Sequence, residues 1–167
     1  MRQIVLDTET TGLETTQGHR IIEIGCVELH NHVATGNTYH VYIDPERDVP
    51  EDAYKVHGLD RAFLRQYPTF AQRIEGFLEF IGGDPLVIHN AQFDMTFLNA
   101  ELSWHGREPL PMNQAIDTVE MARERTDVFR PFVLLVPATA TNPPGKTAWE
   151  YVDDVIHLPV GKAELRT

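Results

Sequence analysis

The fold of this chain is decided by the stretch Arg2-Gln3-Ile4-Val5-Leu6-Asp7-Thr8-Glu9-Thr10-Thr11-Gly12. Its β-favouring apolar run predicts a strand over residues 2–7, and the polar residues after Glu9 predict a turn. Because side chains of a strand alternate between two faces, Asp7 and Glu9 are expected on one side, roughly 6–7 Å apart. Two acids this close repel each other, so a divalent cation that prefers hard oxygen ligands would stabilise the pair. Taken alone, Asp-x-Glu is also compatible with a strand that simply runs out into a polar turn.

Length, charge and cysteine content restrict the class of protein. A chain of 167 residues, 42% hydrophobic and 23% charged, is typical of one globular domain. The 25 acidic and 14 basic residues give a formal net charge of −11, without the basic stripe that holds a long polyanion. No apolar run approaches the ~20 residues that cross a bilayer, and no signal peptide precedes the first strand, so we expect a cytoplasmic protein without a membrane partner. Cys26 excludes an internal disulfide and predicts a buried small apolar residue.

Three strands with short links are expected first. Residues 2–7, 20–29 and 38–44 are rich in apolar residues, and the third segment alternates with period two. The links between them, including Gly36-Asn37, are short and polar, which suits an antiparallel meander. Pro45 ends the third strand.

Helices and strands alternate in the next part of the sequence. Apolar residues recur at helical spacing over residues 70–81, with Thr69 as the N-cap and Gly82 as the stop. The apolar run over residues 86–89 predicts a central parallel strand. The further expected elements are a helix that ends at His105, a strand at Ile116-Asp117 and the start of a helix over residues 119–123. Together these elements predict an α/β fold, a mixed sheet flanked by helices.

The segment His89-Asn90-Ala91-Gln92-Phe93-Asp94 joins the apolar strand to the next helix. Asp94 falls in the first turn of that helix, at the carboxyl end of a strand, where α/β proteins place their ligands. It would face Asp7 and Glu9 if the two strands are neighbours, with Phe93 packed inward. A lone acid in this position is more often a helix-cap residue, whereas the combination with Asp7 and Glu9 favours a site for Mg²⁺ or Mn²⁺.

Four motifs occur in an order that resembles a known family. They are Asp7-Thr8-Glu9-Thr10-Thr11-Gly12, Ile21-Ile22-Glu23-Ile24-Gly25, Val56-His57-Gly58-Leu59 and His89-Asn90-Ala91-Gln92-Phe93-Asp94. In this order the chain resembles the DEDD family of 3′→5′ exonucleases, and within it the epsilon-type proofreading subunits of bacterial DNA polymerase III. The resemblance extends over residues 2–125. We therefore expect an RNase H-like exonuclease core over residues 1–125 and an atypical, proline-rich segment over residues 126–167.

The resemblance implies two-metal phosphodiester hydrolysis. Two ions of Mg²⁺ or Mn²⁺, about 4 Å apart, would bind the scissile phosphate. Asp7, Glu9 and Asp94 match three of the family's four metal-binding acids, and the first two would also contact the terminal nucleotide.

Further substrate-binding residues follow from the same resemblance. Thr8 and the turn that ends at Gly12 would lie beside the terminal base or sugar, where a glycine allows close approach. In the family, the region around Asp52 and His57 touches the terminal nucleotide, so both residues are expected to bind substrate.

The third motif of the family is missing or altered. It is a late helix with His-x₄-Asp, in which histidine is the general base and aspartate the fourth metal-binding acid. The candidate catalytic histidine after Arg125 is His157, but Lys162 stands where the aspartate belongs. Two explanations are open: a misread end, such as a frameshift after codon 125, or a true variant in which Asp153 or Asp154 replaces the ligand. The abrupt loss of pattern favours the first.

The expected activity is that of a proofreading 3′→5′ exonuclease acting on single-stranded or frayed DNA 3′ ends. With so acidic a chain, DNA binding should depend on a partner, and the resemblance implies the alpha and theta subunits of DNA polymerase III. Because the sequence ends at Thr167 without the family's polymerase-binding extension, weak polymerase binding and reduced nuclease activity are expected. Two alternatives are an exonuclease-fold binding module with impaired catalysis and an oligoribonuclease-like RNA-trimming enzyme.

Overall fold

A mixed sheet forms the centre of the protein. The structure, a computed structural model, describes residues 1–124. The five strands of the sheet are β1 (Arg2–Thr10), β2 (Ile21–His30), β3 (Val33–Tyr42), β4 (Leu86–Ile88) and β5 (Ala115–Asp117). They lie in the order β3-β2-β1-β4-β5. β2 is antiparallel to β1 and β3, whereas β4 is parallel to β1 and β5. The predicted arrangement, an antiparallel meander followed by parallel strands, is confirmed.

Helices connect and flank these strands. The α-helices of the described part are α1 (Glu51–His57), α2 (Arg61–Leu64), α3 (Phe70–Ile81), α4 (Ala91–Trp104) and α5 (Thr118–Glu124). Single 3-10 turns lie at Thr15–Gln17 and Met112–Gln114. Within residues 1–124 there is no helix of the length and apolar character that a membrane span requires.

β1 is longer than the sequence predicts. We expected the strand to end at Asp7, but its pairing with β2 continues to Thr10. Asp7 and Glu9 therefore lie inside the strand, opposite Gly25 and Glu23 of β2. The strand extends because its residues up to Thr10 pair with residues of β2, with one register shift between Glu9 and Thr10. This pairing holds both acids in extended backbone.

β3 begins earlier than predicted. The expected strand over residues 38–44 was wrong at both ends, since the observed strand is Val33–Tyr42. Asn31 and His32 have positive φ angles of 50° and 67°, which is the backbone of a two-residue hairpin turn. Because this turn starts β3 at once, Gly36-Asn37 lie within the strand and do not form a link.

α1 and α2 are helices that the sequence pattern did not predict. α1 follows Pro50, has Glu51 and Asp52 in its first turn, and is closed by Gly58 with a φ of 74°. No residue of α1 is buried, so the apolar periodicity on which helix prediction depends is missing there. The proline before the helix and the glycine after it were the available signals.

α3 and α4 form where the sequence predicts and bury their apolar faces against the sheet. At the start of α3, the Thr69 amide donates to Gln72 Oε1 at 3.0 Å, and Gly82 follows its end. The buried core includes Ile4, Leu6, Cys26, Phe70, Ile74, Phe77, Met95, Phe97 and Leu98. Since Ile4 and Leu6 of β1 belong to this core, the alternating residues Asp7 and Glu9 point to the opposite face of the sheet.

A buried ion pair ties β2 to α4. Glu101 is fully buried and accepts Nε and Nη2 of Arg20, each at 2.7 Å. The same carboxylate accepts the Ile21 amide at 3.2 Å. The Arg20 guanidinium also lies 5.0 Å from the ring centre of Trp104. Because α4 carries Asp94 in its first turn, this pair helps to set the position of that acid relative to the strands.

Replacing Glu101 by glutamine should destabilise the fold, because it leaves the Arg20 guanidinium without a charged partner in a largely buried place. We expect Glu101→Gln to lower the free energy of unfolding by about 3 kcal/mol, measured by urea denaturation. Glu75→Gln is the matched control, since Glu75 pairs with Arg107 through an exposed side chain, and it should leave stability unchanged. Equal effects of the two substitutions would contradict the role given to the Arg20–Glu101 pair.

Candidate metal centre and nucleotide site

The three acids expected to bind metal lie at one edge of the sheet. Asp7 and Glu9 belong to β1 and share a face, whereas Asp94 is in the first turn of α4 and is 3% exposed. β4, which leads into α4, is the direct neighbour of β1. Asp94 was expected to face Asp7 and Glu9 if the two strands are neighbours, and they are. Phe93 is partly buried against the core, as expected.

Thr8 holds the carboxylate of Asp94. The pairing of β1 with β4 covers Ile4 and Val5, so Thr8 lies beyond it. The Thr8 amide donates to Asp94 Oδ1 at 3.0 Å, and the Thr8 hydroxyl donates to the same oxygen at 2.7 Å. Thr8 thereby fixes the orientation of this acid from the neighbouring strand, and its expected contact with a nucleotide stays a prediction.

Burial and mutual repulsion raise the pKa of all three carboxyl groups. Burial, followed by the charges of Asp7 and other nearby acids, raises the pKa of Glu9 to about 8. Burial raises the pKa of Asp94 to about 7, and the charge of Asp7 acts in the same direction against the hydrogen bond from Thr8. The pKa of Asp7 is raised as well, chiefly by burial. A bound cation would favour the ionised form of each group.

The donor set has the chemistry of a hard divalent cation site. Carboxylate oxygens are the ligands that Mg²⁺ and Mn²⁺ prefer. In the part of the chain that the structure describes, no group of three or more His, Cys, Asp and Glu side chains is arranged to hold a metal ion. Asp94 directs Oδ1 to Thr8. Asp7, Glu9 and Asp94 thus offer charge and oxygen donors, and further ligands would have to complete the coordination.

The junction of β5 and α5 supports the same edge of the sheet. Asp117 accepts the amides of residues 90–91 at 3.1 and 2.9 Å and so fixes the turn that starts α4. Thr118 Oγ1 lies 3.0 Å from Nδ1 of His89. The charge of His89 opposes the burial that raises the pKa of Asp7. The sequence analysis gave these residues no role. The available signal was their place just after a short parallel strand.

The turn after β1 packs against a histidine ring. A Cβ atom on Gly12 would lie 2.3 Å from His19 Cε1, so no larger residue fits without a shift. Thr11 is fully buried, lies 3.1 Å from His19 Nδ1 and accepts the Arg20 amide at 3.0 Å. Packing within the protein therefore already requires glycine at position 12. The expected close approach of this turn to a nucleotide stays a prediction.

His57 lies beside the end of β1. Its Nδ1 accepts the Leu59 amide at 3.0 Å, so in the neutral ring the proton is on Nε2. Nε2 is buried and has no hydrogen-bond partner of good geometry among residues 1–124. Burial lowers the pKa of His57 to about 4, with the Thr10 backbone acting in the opposite direction. A neutral imidazole is thus placed close to the Thr10 backbone.

The remaining candidate residues lie elsewhere. Asp52 is in the first turn of α1, where its fully exposed side chain lies 3.9 Å from Lys55 Nζ. His157, like Asp153 and Asp154, falls outside the described residues, and so does the expected segment over residues 126–167. The roles of Asp52 and His157, and the division of the chain after residue 125, stay predictions.

Comparisons with known proteins agree with the fold and the motifs. The family described as Exonuclease (RNase_T) matches residues 4–130. The chain is similar to the DNA polymerase III subunit epsilon of Rickettsia felis, with 53% identity over 126 residues, 74% of this chain and 55% of that protein. The subunit of the same name from Escherichia coli K12 is 45% identical over 130 residues, 74% of this chain and 54% of that protein. The chain thus spans about half the length of the curated relatives it matches.

A solved structure shares the fold at low sequence identity. The zinc-bound form of an E. coli ExoI–ssDNA complex superposes with a TM-score of 0.61 and 16% identity, over 73% of this chain and 29% of that one. This likeness shows the fold, and the RNase H-like class expected from the sequence is confirmed.

Without metal, stability should fall as pH rises through the neutral range. The folded-state pKa values of Glu9 and Asp94, about 8 and about 7, lie above the ordinary values of 4.5 and 3.8. The folded protein therefore holds protons that the unfolded chain has already lost, and each group lowers the free energy of unfolding by up to about 1.4 kcal/mol per pH unit. Urea denaturation in EDTA between pH 6.5 and pH 8 measures this slope. Above pH 6.5, the ordinary histidine pKa, the half-buried His57 is mostly neutral in both states and no longer offsets the effect of the acids.

The control for this slope is Glu9→Gln, which removes one titrating carboxyl and should flatten the curve. Added Mg²⁺ should restore stability at the alkaline end of the range, because it favours the ionised carboxylates. A metal-free protein whose stability stays constant or rises from neutral to mildly alkaline pH would contradict the repulsive acid cluster.

Proposed function

The chain belongs to the exonuclease family that its residues 4–130 match, and on this basis we propose that it removes nucleotides from DNA 3′ ends in a metal-dependent reaction. The proposed role is proofreading during replication, and the resemblance to epsilon subunits supports it. The observation that carries the proposal is the position of Asp7, Glu9 and Asp94 at one sheet edge, where burial and the charges of nearby acids raise the pKa of each.

The acids suit phosphodiester hydrolysis because they bring negative charge and oxygen donors to one edge of the sheet, close enough that the charges of Asp7 and Asp94 act on Glu9. The chemistry that two ions of Mg²⁺ or Mn²⁺ supply in such a site is activation of a water molecule and stabilisation of the leaving 3′ oxygen. Asp7 and Glu9 would hold the ions from the strand side and Asp94 from the helix side. Thr8, by donating twice to Asp94 Oδ1, leaves Oδ2 as the oxygen for a cation.

The terminal nucleotide would lie against the end of β1. His57 presents a buried Nε2–H beside the Thr10 backbone, and an incoming base or sugar oxygen would be its natural acceptor. The turn that ends at Gly12 and the exposed Asp52 would border the same space. Such a pocket takes one unpaired nucleotide, so single-stranded or frayed ends are the proposed substrate and a fully stacked duplex end is rejected.

Partners follow from the charge of the chain and from the names of its relatives. A net charge of −11 disfavours tight binding to DNA, so another protein would hold this chain at a primer end. Relatives of this chain are named as subunits of DNA polymerase III. We therefore propose the alpha subunit as the partner that delivers the primer end, theta as a second contact, and the cytoplasm, where replication takes place, as the compartment.

A second candidate is an exonuclease-fold binding module with impaired catalysis. The observation that favours it is the altered third motif, in which Lys162 replaces the expected aspartate after His157. Mn²⁺ titration separates the candidates, because the enzyme should bind two ions and turn over substrate, whereas the module should bind one ion weakly. An RNA-trimming role is the third candidate, and rates on matched DNA and RNA strands distinguish it.

The exonuclease proposal is tested with single-stranded oligonucleotides labelled at either end and incubated with Mn²⁺. We expect mononucleotides to be released from the 3′ end, and we expect EDTA to stop the reaction. Asp7→Asn should lower turnover by about 10³-fold or more, because it removes charge stabilisation that is worth several kcal/mol in the transition state.

Asp48→Asn is the matched control for Asp7→Asn, since Asp48 is an exposed aspartate outside the acid cluster, and it should be as active as the unchanged chain. Release from the 5′ end, activity that survives EDTA, or full turnover by Asp7→Asn would each refute the proposal.

A further inference from the structure

A fourth acid faces the candidate metal centre and belongs to none of the roles above. Glu23 of β2 lies directly opposite Glu9 of β1 in the antiparallel register. Its side chain is 3% exposed. Residues directly opposite each other on neighbouring strands have Cβ atoms about 5 Å apart, and like charges in that arrangement repel. The charge of Glu23 acts on both Asp7 and Glu9, and burial raises the pKa of Glu23 itself.

A histidine on the third strand holds this acid. His40 Nε2 lies 2.7 Å from Glu23 Oε1. His40 is opposite Gly25, which in turn is opposite Asp7, so the three residues form one row across the sheet. The His40 ring also makes an edge contact with Tyr42, with ring centres 5.0 Å apart.

We propose that Glu23, held by His40, is a positioning residue for the carboxylate of Glu9. The proposal rests on the proposed function for the assignment of Glu9 as a metal-binding acid. Bound to His40, the Glu23 carboxylate is directed toward β3, and its charge keeps Glu9 from turning toward β2. Glu9 is thereby directed to the side where Asp7 and Asp94 lie. Glu23 also adds negative charge behind the site without competing as a ligand.

A purely structural purpose accounts poorly for this pair. A buried acid–histidine pair contributes little to stability compared with apolar residues of similar size. Glu23 adds a further charge to a face that already carries the half-buried acids Asp7 and Glu9, which costs free energy in the absence of metal. The arrangement is favourable when a divalent cation is bound near Glu9, because every nearby carboxylate then attracts it.

The test is Mn²⁺ binding by the metal-free full chain, measured without DNA from the electron paramagnetic resonance signal of free Mn²⁺. Glu23→Gln keeps the size and hydrogen-bonding capacity of the side chain but removes its charge. We expect it to raise the apparent Kd for Mn²⁺ about tenfold. Glu28→Gln is the matched control, since Glu28 is a paired acid on the same strand, bound to Arg2, Thr35 and Asn37 away from the site. It should leave Kd unchanged.

His40 is tested by His40→Ala and by the double variant. Without His40, the Glu23 carboxylate is no longer held toward β3 and no longer fixes the position of Glu9, so Kd should rise in His40→Ala as well. Because His40 acts only through Glu23, the double variant should bind Mn²⁺ as Glu23→Gln does, with no further loss. Circular dichroism confirms that each variant is folded, and His40→Ala supplies the same readout if Glu23→Gln does not fold.

Several results would overturn the proposal. An unchanged Kd in folded Glu23→Gln, with a shift only in thermal stability, would assign the pair a structural role. Additive losses in the double variant would show that His40 does not act through Glu23. Asp7→Asn is titrated in parallel to separate this proposal from the proposed function. If Asp7→Asn loses Mn²⁺ binding and Glu23→Gln does not, the metal site stands and the positioning role fails; if the unchanged chain binds no Mn²⁺, both fail.

Discussion

Repulsion between buried carboxylates is the constraint on which the rest of this structure depends. Asp7, Glu9, Glu23 and Asp94 come from two strands and one helix, and burial raises the pKa of each. A folded chain gains nothing from such a group of acids by itself, because each charge loses solvation and opposes the others. The arrangement becomes favourable when cations are bound. We therefore regard metal binding as the reason for the geometry at this edge of the sheet.

Hydrogen bonds and an ion pair to neighbouring elements hold the acids in place against that repulsion. Thr8 donates two hydrogen bonds to Asp94, and Asp117 accepts the amides that start α4. The Arg20–Glu101 pair then ties the middle of the same helix to β2. Each of these contacts joins a strand to the helix or turn that carries an acid. Hydrogen bonds and an ion pair from neighbouring elements thus hold the acids, which is the usual requirement for a preorganised site.

Local patterns predicted the architecture well, and they predicted the site in part. The alternation in β1 placed Asp7 and Glu9 on one face, and the strand–helix junction placed Asp94 near them. The position of Glu23 opposite Glu9 was not predicted because it depends on the register between β1 and β2, which local patterns do not give. Its partner His40 comes from β3, whose predicted start was wrong because the turn residues Asn31 and His32 lack the glycine that usually marks such a turn. α1 was missed because a short helix without buried residues has no apolar periodicity.

The most direct test of this explanation is the titration of single carboxyl groups by ¹³C nuclear magnetic resonance. The protein is labelled at its Asp and Glu side chains, and the variants Glu9→Gln and Asp94→Asn assign the two signals. In the metal-free protein, the signals of Glu9 and Asp94 should titrate with midpoints near 8 and near 7. Saturating Mg²⁺ should shift both midpoints well below neutrality, because a bound cation stabilises the ionised carboxylates. Midpoints near the ordinary values of 4.5 and 3.8 without metal, unchanged when Mg²⁺ is added, would contradict the claim that these acids form a repulsive cluster built for cations.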